Sequence, residues 1–281
     1  MEYYTSGGGR AKILQLQTEI QRLQGESDAL RKELADAAKS NQQYLQNVAH
    51  QLTAPLNAIK WSIEALRNPA VPLGRKSNLL SSIYDQGTIL VNLIKNFALM
   101  SKLDADKELG QFGHKLERVD PLRLSINLAN DFQPQASEGG RKIIVDTEAF
   151  DRIPSGKALS ADKNLIAQAL SNLLENAVKY SDLRSTINID AVPVPFKNEV
   201  RSGFGIRVTS TGLPLDSSEI AQLQERGFRG KRARQIVPPG TGIGLYLARR
   251  IMELHQGAIG IKGHGKESQF TLIFHPSKIQ G

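Results

Sequence analysis

Residues 47–66 read NVAHQLTAPLNAIKWSIEAL. Apolar side chains recur at Val48, Leu52, Leu56, Ile59, Ile63 and Leu66, the spacing of one face of an α-helix. Two residues inside that helix stand out, His50 and Pro55. A proline has no N–H, and its ring crowds the carbonyl four residues back, here that of Gln51. A kink just past the histidine is expected. A helix that only had to pack would gain nothing from that proline.

Upstream, Ile13, Ile20, Ser27, Leu34, Asn41 and Val48 repeat every seven residues, and Leu16, Leu23, Leu30, Ala37 and Tyr44 form the partner series. These are the a and d positions of a coiled coil about five heptads long. Ile at a with Leu at d favours two parallel strands, and a buried Asn at a supports a dimer in one register. Ser27 and nearby Gly25 weaken the middle. In the same phase Val48 is a core position, and His50, two residues on, faces outward. A lone helical histidine is most often an ordinary surface residue. An outward imidazole is also where a reacting one must be.

Downstream, the helix should run to about Arg67. The stretch NPAVPLGR at 68–75 carries two prolines and a glycine and reads as a loop. A second helix is expected over 76–103, with Leu79, Ile83, Leu90, Leu93, Ile94, Phe97 and Met100 on its apolar face. Two antiparallel helices per chain, dimerised, make a four-helix bundle. Beyond Val119 strands and helices mix. Helices are expected over 121–138, 162–180 and 244–255, and strands over 142–147, 186–192, 204–208, 258–262 and 269–274. The fold class is α plus α/β: a coiled coil leading into a dimeric four-helix bundle, then an α/β sandwich. The expected divisions are a flexible tail at 1–10, a coiled-coil helix at 11–48, a helical hairpin at 41–103, a linker at 104–118 and the α/β domain at 119–281.

The composition narrows the classes. The 281 residues are 40% hydrophobic, enough to fill a core, and include no cysteine. Disulfides and thiolate metal sites are thereby excluded, which suits a reducing, cytoplasmic setting. No apolar run approaches the length of a membrane span, and the polar, Gly-rich start MEYYTSGGGR does not read as a signal peptide. The net charge is +8. The basic residues are spread out, apart from RGFRGKRAR at 226–234. No zinc-finger spacing or RNA-binding aromatic motif accompanies that cluster, so a nucleic-acid partner is not expected. A basic cluster suits a small polyanion equally well.

Three constellations could carry chemistry. The first is NLLENAVKYS, 172–181. Asn172 and Asn176 are four apart and Lys179 is three further on, so all three share one helix face. Two amides and an ammonium can hold phosphates and the hard cation they bridge, since magnesium takes few protein ligands. Tyr180 offers an aromatic face. The plainer reading is the polar side of an amphipathic helix. The second is GTGIGLYLARRIMELH, 240–255. Glycines at 240, 242 and 244 let the backbone approach a phosphate closely, and the helix that follows aims its free N–H groups there. The third is VTSTGLPL, 208–215, a strand ending in a polar turn with Gly212 and Pro214.

In combination these segments resemble the sensor histidine kinases of two-component systems. The resemblance rests on HQLTAPL at 50–56, NLLENAVKYS, the turn at 211–212, GFRG at 227–230 and GTGIGL at 240–245, and it covers about residues 41–275. It implies a dimerisation and histidine phosphotransfer domain followed by a Bergerat-type ATP-binding domain. By matching position, His50 would be phosphorylated from ATP. Asn176 would bind Mg2+, with Asn172 and Lys179 near the phosphates and Tyr180 beside the base. Gly240, Thr241, Gly242, Gly244 and Leu245 would line the phosphates under a mobile lid at about 213–239. Phe228 and Arg229 would help dock that lid or the whole domain. The partners implied are a second copy of the chain, an upstream sensor domain or protein, and the receiver domain of a separate response regulator, whose aspartate would take the phosphoryl group.

Three positions depart from that pattern. Gln51 stands where the family usually has Glu or Asp to orient the imidazole and accept its proton. Its amide oxygen can fix the tautomer but brings no charge. Ala54 stands where many members carry Thr or Asn to position a hydrolytic water. Ser210 and Gly212 form the turn at which an Asp usually accepts the adenine amino group, and Ser210 holds that Asp's place. A neutral acceptor there predicts ATP binding weakened by about 1–2 kcal/mol. Gln51 and Ser210 are the features that favour the alternative, a degenerate dimeric scaffold that binds a regulator without transferring phosphate.

Overall fold

The structure is a computed structural model and describes residues 7–109, 115–153, 158–197, 199, 202–236 and 242–280. The chain divides into two compact units, Met1–Val48 and Ala49–Gly281.

The first unit is helical. Helix α1 (Gly7–Leu66) begins inside the stretch expected to be a tail. Extending an existing helix adds one hydrogen bond for each residue fixed, so a long helix propagates into a poor sequence that could not nucleate one. The heptad positions Leu16, Ile20, Leu23, Leu30 and Leu34 are all at least half exposed on the single chain. Arg22 bridges Glu19 and Glu26 at 2.6 and 2.7 Å along the same helix. Ile13, Ala37, Asn41 and Tyr44, also expected core positions, have side chains outside the described residues.

In the second unit α1 ends at Leu66, and helix α2 spans Leu73–Leu109. It is longer at both ends than the 76–103 expected. Pro72 starts it, accepting the N–H groups of Arg75 and Lys76 at 3.0 and 3.1 Å; a proline just before the first turn forfeits no helical bond. At the other end the helix continues through DADKEL, 104–109. Within the expected linker at 104–118, α2 takes residues 104–109 and strand β1 (Glu117–Val119) the last two, while 110–114 lie outside the described residues. Met100 and Leu103 are buried, and the Gln168 amide donates to Asn96 Oδ1 at 3.2 Å, so the end of α2 packs on the α/β domain.

That domain has two sheets. β1, β3 (Ala158–Ala161) and β8 (Ile279–Gln280) form a small antiparallel one. The larger has the order β2 (Lys142–Val145), β4 (Thr186–Val194), β5 (Gly203–Thr211), β7 (Glu267–Phe274), β6 (Ala258–His264). Only its β2–β4 pair is parallel. Register places Ile189, Val208 and Phe270 side by side, as it does Ile206 with Leu272. All five are buried on one face, under helices α3 (Pro121–Glu138), α5 (Lys163–Tyr180) and α7 (Gly244–Leu254). Short α4 (Thr147–Asp151) lies against β4. Helix starts follow local chemistry: the Asp120 carboxylate accepts the Arg123 N–H at 2.9 Å, with Pro121 as first residue of α3. Asp162 accepts from Asn164 and Leu165 at the start of α5. Among the described residues no helix is long and apolar enough to cross a membrane.

One buried histidine ties the layers. His255 is fully buried at the end of α7. Its Nε2 accepts the Asp162 N–H at 3.0 Å, and its Nδ1 lies 2.7 Å from the Ile251 carbonyl oxygen. With Nε2 an acceptor, the ring proton sits on Nδ1 and goes to that carbonyl. Substitution His255→Ala leaves a cavity and an unpaired amide, and should destabilise the chain by about 2–4 kcal/mol in urea unfolding. A loss below about 0.5 kcal/mol would show that the bond contributes nothing net.

Candidate functional site

Helix α5 presents its apolar residues to the core: Ile166, Ala169, Leu170, Leu173, Leu174, Ala177 and Val178 are all buried. Asn172 is on the same buried side, 2% exposed, and its Nδ2 has no hydrogen-bond partner. A leucine would avoid the penalty of about 1–3 kcal/mol that an unpaired buried donor carries. Such groups are few in native proteins, and each calls for an explanation.

The Asn172 side chain lies under the first residue of α7. A Cβ built on Gly244 would sit 3.7 Å from the asparagine's Cβ, Cγ and Oδ1. The N-terminus of α7 has no side-chain cap and no acidic residue in its first turn. A helix start without a side-chain cap, close to an unpaired side-chain amide, suits an anion. Leu245 follows, half-buried. Gly242 has φ +66, and a Cβ there would sit 2.6 Å from Gly227 C and from the Phe228 oxygen. The Gly242 oxygen also accepts the Gly227 N–H at 3.1 Å. The glycine loop is thus fastened to the GFRG segment. Gly240 and Thr241 lie outside the described residues.

The other side of the site is the end of α5. Asn176, Lys179 and Tyr180 are half-buried. Burial pushes the Lys179 ammonium below its ordinary range; Glu175 opposes this and Arg229 adds to it. Arg229, whose Nη2 donates to the Ala233 oxygen at 3.1 Å, thus brings the basic segment to Lys179. Lys179 Nζ stands 5.6 Å from the Tyr180 ring centroid, so the aromatic face expected to meet a base already faces a cation. Gly212 closes this end. Its N–H goes to the Lys266 oxygen at 2.8 Å, and the Leu213 N–H to the Tyr180 oxygen at 3.0 Å. A Cβ on Gly212 would overlap that Tyr180 oxygen, so only glycine fits. Ser210 is buried two residues before it.

Residues from α5, β5, the 213–236 segment and α7 therefore converge. The segment expected as a lid contains a 3-10 turn (Gln222–Gln224) and helix α6 (Lys231–Ile236). The Glu219 carboxylate accepts the Lys231 N–H at its start. The cluster does not include His50, exposed on α1, or half-buried Gln51 beside it. Pro55, one turn on, is buried within the helix. Two residues that sequence reading did not single out belong here. Ser181 ends α5 with a buried, unpaired Oγ, and Arg141 donates to its carbonyl oxygen at 2.7 Å. Ser181 lay inside a quoted motif; nothing in the sequence marks Arg141.

The site presents donors. Among the described residues no three His, Cys, Asp or Glu gather to hold a metal. A hard cation would fit here with a polyphosphate that it bridges, sharing an amide oxygen.

The family model described as His Kinase A (phospho-acceptor) domain matches residues 40–106. The one described as histidine kinase-, DNA gyrase B-, and HSP90-like ATPase matches residues 161–278. The chain belongs to the sensor histidine kinase family. It is 30% identical over 258 residues to the non-motile and phage-resistance protein of Caulobacter vibrioides, covering 88% of this chain and 28% of that protein. It is also 30% identical over 257 residues to the circadian input-output histidine kinase CikA of Synechococcus elongatus, covering 90% and 32%. The chain thus spans under a third of either relative's length. The structure of the histidine kinase AdeS of Acinetobacter baumannii shares the fold, with a TM-score of 0.55 at 17% identity over 80% of this chain and 96% of that one.

The lowered Lys179 gives a pH test. Its folded value lies below the ordinary 10.5, so between the two the unfolded chain holds more protons than the folded one. The burial penalty is present in full below the folded value and is relieved as pH rises toward the unfolded one. The denaturant midpoint of the unliganded protein should carry a rising component over that alkaline window, and Lys179→Gln should remove it. An unchanged profile in the variant would place the perturbed group elsewhere.

Proposed function

We propose that the chain is an ATP-dependent protein histidine kinase that phosphorylates its own His50 and passes the phosphoryl group to an aspartate of a separate response regulator. The observation that carries this reading is the unpaired Asn172 amide beneath the uncapped start of α7. A polyphosphate there would satisfy both at once. Family membership supports ATP as the nucleotide.

In this reading the phosphates lie along Gly240, Thr241, Gly242, Gly244 and Leu245, against Asn172 and Lys179, with Arg229 reaching in from the basic segment. Asn176 would hold Mg2+ through its amide oxygen, and the ion would offset phosphate charge. Tyr180, Ser210 and Gly212 form the base end. Binding anionic oxygens beside Lys179 favours its charged form, reversing the effect of burial. At His50 a ring nitrogen forms a bond to the γ-phosphorus as the bond to the bridging oxygen breaks, and ADP leaves with that electron pair. Gln51 accepts a hydrogen bond from the N–H of the other ring nitrogen, which holds the tautomer, and that proton passes to water once the ring carries the phosphoryl group. Without a carboxylate in that place the step is slower, although positioning and electrostatics carry most of phosphoryl transfer.

The exposed stripe Leu16, Ile20, Leu23, Leu30 and Leu34 supports a homodimer through 11–48. Pro55 gives α1 a place to bend below the imidazole, so a change in the stalk can alter whether His50 meets the nucleotide. A sensor domain or protein would supply that change.

Incubation with γ-labelled ATP and Mg2+ should mark the chain at an acid-labile, alkali-stable site, and His50→Gln should abolish the mark. Labelling that survives the substitution would refute the assignment of His50. Binding of nucleotide with no labelling would leave the non-catalytic scaffold, which Gln51 and Ser210 favour. The stalk makes a separate prediction. The parent should sediment as a dimer, and Leu23→Glu with Leu30→Glu should weaken it by at least about tenfold, since each buries a charge in the seam. A parent that remains monomeric at high concentration would remove the coiled coil.

A further inference from the structure

The inner face of the large sheet changes character at one end. Along β5 Phe204, Ile206 and Val208 face the helices, and Ser210 continues their row. Along β7 the register partners are Phe274, Leu272, Phe270 and then Ser268. Ser210 and Ser268 are thus neighbours, and they are 8% and 6% exposed. A third serine, Ser181, closes α5 and bridges to Gly212, two residues past Ser210. It is 6% exposed, and its Oγ has no hydrogen-bond partner. A buried hydroxyl left unpaired is unfavourable unless something from outside satisfies it.

The carboxylates beside this end are engaged elsewhere. Asp182 Oδ2 lies 3.1 Å from Lys266 Nζ, and Glu267 Oε1 accepts from Gln269 Nε2 at 2.8 Å. Glu267 neighbours Ser268 in an alternating strand and so points to the other face of the sheet. Among the described residues the inner floor is therefore built from neutral hydroxyls.

A carboxylate only accepts hydrogen bonds, whereas a serine hydroxyl donates one, accepts two and rotates to suit. Adenine offers an amino donor at its six-position and guanine a carbonyl acceptor. A carboxylate floor would pair with the first and repel the second. A hydroxyl floor can pair with either and leaves no polar group stranded.

The geometry points to a base-recognition floor, made of Ser181, Ser210 and Ser268, that takes guanine and hypoxanthine nucleotides as well as adenine ones. This rests on the reading of the site as a nucleotide pocket.

The test is calorimetric titration of the full chain, with Mg2+, against the β,γ-imido analogues of ATP and GTP and against ITP. The three dissociation constants should fall within about tenfold of one another, because a rotatable hydroxyl pairs with each base. Ser210→Asp should open the ratio of GTP to ATP analogue to about a hundredfold or more, the discrimination that a fixed polar partner supplies. If the parent binds the ATP analogue about a hundredfold more tightly than the GTP analogue, the inference is overturned and the pocket stands. If none of the three binds, the pocket itself is refuted. An unchanged ratio in a Ser210→Asp chain that still unfolds cooperatively would remove Ser210 from the floor. The parent's ratio decides the inference even where the buried aspartate prevents folding.

Discussion

An asparagine amide held out of water under the first turn of a glycine-led helix is the constraint on which the rest depends. Asn172 occupies a core-facing position on α5, among leucines and alanines. Its Nδ2 is unpaired, and Gly244 at the start of α7 lies against the same side chain. The packing of α5 against α7 would be more stable with an apolar residue there. The position makes physical sense if a ligand completes it. The surroundings then follow: a loop whose Gly242 only a residue without a side chain can occupy, an uncapped helix start, and a lysine whose charge is disfavoured until an anion arrives.

The sheet fixes where this can happen. Its inner face is apolar along most of β5 and β7 and holds α5 and α7 at one depth. The turn at Gly212 joins the end of β5 to the end of α5 through the Tyr180 carbonyl. His255 ties the far end of α7 to the start of α5 through the Asp162 amide. α5 is thus held at both ends and α7 at its far end, and the polar site lies between them. The GFRG segment is fastened to the loop at Gly227 and Phe228, which brings Arg229 close to Lys179. In the proposed mechanism this gives positive charge to the phosphates without a rigid wall around them.

Much of this was legible in the sequence, for reasons that can be named. The seven-residue repeat and the 47–66 periodicity mark α1 because a helix face recurs at fixed spacing. Asp120 followed by Pro121, and Asp162 before α5, announce helix starts in their own chemistry. Asn172, Asn176 and Lys179 could be placed on one face by counting. What was missed has no local signature. Strands of two to four residues, such as β8 and β3, are too short to show alternation, and their pairing depends on segments far apart in the chain. The extension of α2 past Leu103 overrides a polar composition that resembles a linker. The burial of the Ser210–Ser268 pair depends on β5–β7 register, which no spacing reveals. The partnership of Lys179 with Tyr180 depends on side-chain direction, which counting along a helix does not fix.

The central claim is that the unpaired Asn172 amide and the start of α7 are completed by one polyphosphate. The most direct measurement is an experimental structure of the full chain with Mg2+ and a non-hydrolysable ATP analogue. The account predicts phosphate oxygens within hydrogen-bond distance of Asn172 Nδ2 and of the backbone N–H groups at Gly242–Gly244, with the ion on Asn176. A nucleotide bound elsewhere, or a bound state in which that amide is still unpaired, would contradict it.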